Sequence, residues 1–282
     1  MHTDPLGWLL RDPAALAGMA ILGLVLLMAI LGPSLSCHSP EEYTGRIFSP
    51  PGPDHPLGTD SMGQDIWSRL LAGARTSLMV AFSVAVLSSG LSLLVGATSA
   101  LVGGLYERLF MRSVDAMLAI PAMVVMILVG AYLRPSALLL VLLITAFSWP
   151  GGARIIRSQV ISLKERGHVH AARAFGAGWG YIMVRHIAPE LWPIIAAVMV
   201  QDARRAVFME AGLAFLGVSD PALISWGKMM HQALYFTYLD VWRWWLVPTG
   251  IALSMTLVGL SMLGIGLEAA MDPRRAEGVQ RC

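Results

Sequence analysis

The chain has 282 residues, 56% of them hydrophobic and only 13% charged, and its mean hydropathy is +0.65. Soluble domains carry roughly 25% charged residues, so this composition excludes an ordinary soluble enzyme and marks an integral membrane protein. The formal net charge of +2 leaves no nucleic-acid footprint, and the placement of the basic residues says more than their sum.

Cys37 and Cys282 are the two cysteines. The expected topology puts them on opposite sides of the membrane, which predicts no disulfide. The start, Met1-His2-Thr3-Asp4-Pro5, lacks a basic region, and the first apolar run is too long for a signal-peptide core, so that run is expected to be retained as a span.

In hydrocarbon every backbone polar group must be paired within its own segment, so a crossing helix needs about 20 mostly apolar residues. Six uncharged runs are read on that basis. The first is Ala14 to Leu35, with Asp12 as N-cap and Pro13 at the first helical position, stopping near Gly32-Pro33. The second begins after Arg75 and ends before Glu107. The third runs from about Ala116 to Leu133 with Pro121 inside it, followed by a tight hairpin at Arg134-Pro135. The fourth is Ser136 to about Trp149, closed by Pro150-Gly151-Gly152. The fifth, Leu191 to Leu216, carries Gln201, Asp202, Arg204, Arg205 and Glu210 in its middle, and the sixth is Trp244 to Leu267.

Six spans put both termini on one side. With the N-terminus inside, the inner segments hold Arg11, Arg108, Arg112, Arg154, Arg157, Lys164, Arg166, Arg173, Arg185, Arg274, Arg275 and Arg281. The outer segments hold half as many: Arg46, Arg69, Arg75, Arg134, Lys228 and Arg243. The positive-inside rule therefore predicts cytoplasmic termini.

On the outside, Ile66, Leu70, Leu71 and Ala74 fall at helical spacing and predict an interfacial helix ahead of the second span. Asp60 to Asp65 lacks the alternating oxygen ligands of a calcium loop, which leaves turn chemistry. Trp242, Trp244 and Trp245 at a span boundary read as an interfacial belt.

No catalytic constellation is present. There is no HExxH, no GxSxG and no GxxxxGK[ST] phosphate loop, so any ATP hydrolysis belongs to another chain. Two features remain.

The first is the charged middle of the fifth run, where each charge costs about 2.5 to 3.5 kcal/mol on insertion scales. Asp202 and Arg205 can pair along the helix, whereas Glu210 has no cation within its own helix. The helix is thus either a pore or inter-subunit surface, with Asp202, Arg205 and Glu210 as its candidates, or a structurally paired element. The second feature is the basic loop from Trp149 to Pro193, whose small residues Ala171, Ala172, Ala174, Gly176, Ala177 and Gly178 let another surface approach the backbone. A docking element explains both the charge and the small residues.

These residues resemble the permeases of ATP-binding-cassette importers. Their EAA motif reads Glu-Ala-Ala, a Gly four residues beyond the second Ala, and Ile-x-Pro starting eleven residues after that Gly. Ala171, Ala172, Gly176, Ile187 and Pro189 match in register, with His170 at the Glu position.

The resemblance covers nearly the whole chain and is closest to the dipeptide, oligopeptide and nickel family, second-subunit type. It extends over His55-Pro56-Leu57-Gly58-Thr59-Asp60, Met111-Arg112 to Pro121, Trp149-Pro150-Gly151, Glu210 to Gly217, Ser225-Trp226-Gly227, and Gly264 to Leu267 with Asp272-Pro273-Arg274. Gln64 stands for a usual Arg and Ile265 for a usual Asp.

The resemblance implies an all-α integral membrane fold of six transmembrane helices, the type I ABC importer permease fold. It divides into an N-terminal segment and first span (1–36), an extracytoplasmic loop with an interfacial helix (37–75), a five-helix core with the coupling loop 150–190 (76–272) and a cytoplasmic tail (273–282). It further implies a prokaryotic inner membrane, a second and non-identical permease, two ATPase subunits carrying ATP and Mg, and an extracytoplasmic solute-binding protein, with no cofactor on this chain.

Alternating access follows, with Trp226, Met229, Met230 and His231 expected at an outer gate or facing the binding protein. A self-contained channel or ion-coupled transporter is the rival function. Met229-Met230-His231 admits a soft-metal relay and hence a nickel or metal-chelate cargo, but Met in membrane helices serves packing, and peptides stand ahead.

Overall fold

The computed structural model describes residues 10, 12–133 and 135–270, and among these the chain is helical with no strand. The expectations for the first residues, the Arg134-Pro135 hairpin, Cys282 and the 273–282 tail lie outside the described residues.

Helix α1 (Pro13–Leu35) opens as expected, with Asp12 Oδ1 accepting the Ala14 amide and Pro13 in the first turn. Pro33 lies inside it, so the helix runs past Gly32-Pro33 to its end. Helix α2 (Ile66–Val102) is 37 residues without a break. The expected interfacial helix is therefore the first turns of α2 itself. Ile66, Leu70, Leu71 and Ala74 are buried against the chain's own core rather than laid on a membrane surface.

Beyond a break at Gly103, α3 (Gly104–Ala119) and α4 (Ala122–Tyr132) meet at a bend of 77°. The third run was expected to be one helix through Pro121. Instead Ile120 is extended (φ −82°, ψ 129°), because the proline ring disfavours helical geometry in the residue before it. Among the described residues five helices are long and apolar enough to cross a membrane, and a sixth crossing is counted when this bent pair is taken as one span.

Helix α5 (Ala137–Lys164) starts on a Ser136 cap and continues through Pro150, so the segment expected to be loop from residue 150 is helical to Lys164. Two carbonyls just before the proline gain side-chain donors. Ser92 Oγ donates to Trp149 O at 2.8 Å and Arg205 Nη1 to Ser148 O at 3.5 Å. Short helices α6 (Gly167–Ala174) and α7 (Trp179–Ile182) lead into α8 (Ala188–Phe215), followed by α9 (Trp226–Leu234) and α10 (Leu246–Ala270).

Helix α2 packs against α5 and α8, while α1 lies against α10. In a membrane the hydrophobic effect cannot drive helices together, and close contact of small residues does much of that work. A Cβ on Gly96 of α2 would sit 2.6 Å from the Ala153 carbonyl of α5, and one on Gly152 of α5 would sit 2.5 Å from Ser92 Oγ of α2. The two backbones touch here. Replacing Gly96 by Leu is expected to cost about 1 to 3 kcal/mol by overpacking and to lower the apparent melting temperature in detergent by about 2 to 12 °C. Gly90→Leu on the same helix, where a Cβ would meet nothing within 4 Å, is the control that leaves it nearly unchanged.

Candidate functional site

Three regions hold the residues singled out by sequence. The first is the connection between α5 and α8. Its inner side is anchored: Val169 of α6, together with Ile182, Ile187 and Leu191, joins Ala97, Ala100, Ile156 and Val160 in one buried cluster. Lys164 Nζ donates to the Ala100 carbonyl at 2.7 Å, tying the end of α5 to α2, and both Lys164 and Arg173 lie over the Trp179 ring. Arg166 pairs with Glu190, and His168 Nε2 is 3.4 Å from the same carboxylate.

The outer side of this connection is bare. Ala171, Ala174 and Gly176 are exposed, and Phe175 is 92% exposed. Helix α6 ends in a Schellman turn, with Gly176 N on Arg173 O at 2.9 Å and Ala177 N on Ala172 O at 3.0 Å, which puts Gly176 at φ +86°. Only glycine takes that conformation without steric cost. A Cβ there would meet nothing within 4 Å, so the requirement is for backbone, not space. His170 is exposed, with Nε2 3.4 Å from Glu165 Oε2. A wide turn over Met183–Ile187 closes with the Ala188 amide on the Met183 carbonyl, just before Pro189, which has no amide to continue the ladder.

The second region is the middle of α8, whose two faces differ sharply. Asp202 and Glu210 point inward and are 4% exposed. Asp202 accepts from Ser88 Oγ of α2 at 2.7 Å, and Glu210 from Ser77 Oγ at 3.5 Å. Gln201, Arg204, Arg205 and Phe208 occupy the other face, where Gln201 Nε2 bonds Glu268 of α10. Arg204, Arg205 and Phe208, with Leu257 and Ser261 of α10, line a cavity of about 350 Å3.

The third region is the segment ahead of α2, joined by the α8–α9 connection. Asp60 Oδ1 accepts the amides of Met62 and Gln64 at 2.8 and 2.9 Å, and Asp65 caps α2 through the Ser68 amide at 2.8 Å. The acidic pair thus performs the expected turn chemistry. Arg69, 4% exposed, is held by Gln64, by the Pro40 carbonyl at 3.4 Å, by Gln232 of α9 at 3.3 Å and by Asp60 at 3.5 Å.

Two family descriptions match this chain. "Binding-protein-dependent transport system inner membrane component" covers residues 89–277, and "N-terminal TM domain of oligopeptide transport permease C" covers residues 8–51. The chain belongs to the first of these families. A protein of Brucella suis named as a peptide permease is 34% identical over 268 residues, 94% of this chain and 88% of that protein. A second Brucella suis protein, named as a peptide transport system permease, is 34% identical over 273 residues, 96% and 91% of the two chains. The oligopeptide transport system permease protein OppC of Bacillus subtilis is 33% identical over 264 residues, 92% and 85%.

Within this permease the sequence-predicted residues separate. His170, Ala171, Ala172 and Gly176 lie together on or beside α6, with Ile187 buried beneath and Pro189 opening α8. Asp202 does not pair with Arg205, since its hydroxyl partner is on α2. Burial within this chain also takes Asp202 and Glu210 off any surface that α8 offers to a second subunit. Arg205 alone of the three lies on the open face.

Trp226 and Met229 are fully buried, and the Trp226 indole donates to the Leu70 carbonyl at 2.9 Å. In this structure they therefore present no surface to a binding protein. His231 bonds the Phe215 carbonyl at 2.6 Å and holds the end of α8, with Met230 half-buried beside it. Trp245, expected in an interfacial belt, is 0% exposed and belongs to the core with Trp226.

Sequence reasoning passed over Arg204 in naming the site. The available signal was the spacing of Gln201, Arg204, Arg205 and Phe208 on one helical face, opposite Asp202, Ala206 and Glu210.

The serine–carboxylate contact yields a stability cycle. Ser88→Ala leaves a buried carboxylate without its donor and is expected to cost about 1 to 3 kcal/mol, whereas the double variant Ser88→Ala, Asp202→Leu recovers most of the loss. Thermal unfolding of the four proteins in detergent measures the coupling.

Proposed function

We propose that this chain is one of two non-identical permease subunits of an ATP-driven peptide importer in a prokaryotic inner membrane, with both termini in the cytoplasm. Peptide as cargo rests on the relatives, which are named as peptide and oligopeptide permeases. The observation that carries the coupling role is the small protruding helix α6. It is rooted in the core through Val169 and bare at Ala171, Ala174 and Phe175, as a knob seated in a cleft of an ATPase needs to be.

In this reading His170, Ala171, Ala172 and Gly176 meet the ATPase, and Ile187 and Pro189 set the angle at which α8 leaves the loop. ATP and Mg stay on the two ATPase subunits. ATP binding draws the docked loops of the two permeases together, and the anchored knob passes that movement to α2, α5 and α8, which alternately open the path to either side. A solute-binding protein delivers peptide from outside. His170 beside Glu165 keeps a carboxylate near the place where the motif usually has its Glu, supplied from five residues earlier.

Two outcomes check the reading. In liposomes holding this permease with its neighbouring permease, ATPase and binding protein, peptide uptake requires ATP. Uptake by this chain alone, or uptake of nickel chelates in place of peptides, refutes the importer or the cargo respectively. Gly176→Trp is expected to cut both ATPase co-purification and uptake at least roughly tenfold, because a positive φ disfavours any side chain and the knob loses its shape. Full retention of both overturns the docking role of α6.

A further inference from the structure

Within a membrane, charged side chains face a bundle interior or a water-filled path, because lipid contact is too costly for them. Helix α8 divides its charges by sign. Beyond Glu190 in its first turn, its two other acids, Asp202 and Glu210, are buried against serines of α2, and its two arginines lie side by side on the open face. Among the described residues neither arginine has a carboxylate within 4.0 Å. Arg205 has only a long bond to the Ser148 carbonyl, at 3.5 Å. Both guanidinium-bearing residues border the cavity of about 350 Å3 that Phe208, Leu257 and Ser261 also line.

Their depth narrows what can fill this cavity. With Phe215, the end of α8, taken as the outer edge of the hydrocarbon layer, Arg205 ten residues earlier lies about 15 Å along the helix axis, near the midplane of a layer about 30 Å thick. Lipid phosphates do not reach that level. The occupant is therefore an anion brought in along the path or a carboxylate of a second protein.

We infer that Arg204 and Arg205 form a carboxylate subsite of the translocation path, which takes the C-terminal carboxylate of the peptide in transit. The inference rests on the reading of this chain as a peptide permease. Guanidinium groups present planar forks that match a carboxylate with two parallel hydrogen bonds. Phe208 and Leu257 supply an apolar wall for the side chain that precedes the carboxylate, without selecting its identity. A peptide carrier gains from such a site, since every linear peptide ends in the same group while its side chains vary.

The test uses the complete transporter in liposomes, with a mixture of alanine-based tri- to pentapeptides as free acids and the same mixture as C-terminal amides, each saturating the binding protein. The wild-type transporter is expected to take up the acids roughly tenfold faster than the amides, the loss of a charge-assisted bond being of that order. In Arg204→Gln, Arg205→Gln the ratio falls to about one, and in Arg204→Lys, Arg205→Lys it stays well above one.

Equal uptake of acids and amides by the wild type overturns the subsite without any variant. A tenfold ratio that persists in the double Gln variant also overturns it. Loss of the second permease from the Gln variant, with the Lys variant assembled but indifferent to the amide, assigns the arginines to a carboxylate of that subunit instead. If the wild type moves neither mixture, the peptide-permease reading itself falls.

Discussion

The contact on which the rest depends is the one α2 makes with α5 and α8. It combines the two devices open to helices in lipid: backbones brought together at glycine, and polar side chains that find donors on a neighbour. Gly96 and Gly152 let α2 and α5 touch, while Ser77 and Ser88 satisfy Glu210 and Asp202 of α8. Without these serines the buried carboxylates would lose donors on α2, and α8 would have less reason to turn Asp202 and Glu210 inward. Because it does turn them inward, its arginines face out. The polarity of the open face is a consequence of how the closed face is satisfied.

The same contact positions the protruding knob. Helix α6 is too short to be stable alone, since isolated helices shorter than about 12 to 15 residues are marginal in water. Its shape comes from the buried cluster around Val169 and from a glycine that ends it sharply. Rigidity at the root and bareness at the tip are separate properties of separate residues, which is why a loop of this kind tolerates His170 on its surface while Gly176 is held to one residue type.

Two prolines in apolar runs show how much of this was legible in the sequence. Pro121 and Pro150 look alike locally, yet the chain breaks at the first and passes straight through the second. Around Pro150 the helix is held by neighbours, with Ser92 and Arg205 bonded to the Trp149 and Ser148 carbonyls, contacts that each span 57 positions of sequence and that no local pattern reveals. The N-cap at Asp12, the apolar runs and the register of the small-residue loop were readable because they depend on neighbours in sequence. The burial of Trp226, Met229 and Trp245 was not readable, because tryptophan at a span boundary serves equally as an interfacial anchor and as core. The burial of Asp202 and Glu210 was half readable: their spacing on one face was visible, but the serines that receive them were not.

The length of α2 has a mechanical consequence. Thirty-seven unbroken residues make a rod of about 55 Å, nearly twice the thickness of the hydrocarbon layer. One end is capped by Asp65 and gripped by the Arg69 cluster, and the other receives the Lys164 ammonium and the root of α6. Neither proline nor break interrupts it. In the proposed coupling role this strut is the route by which a displacement of the knob reaches the far side, where the segment around Asp60 and His55 is attached to its end.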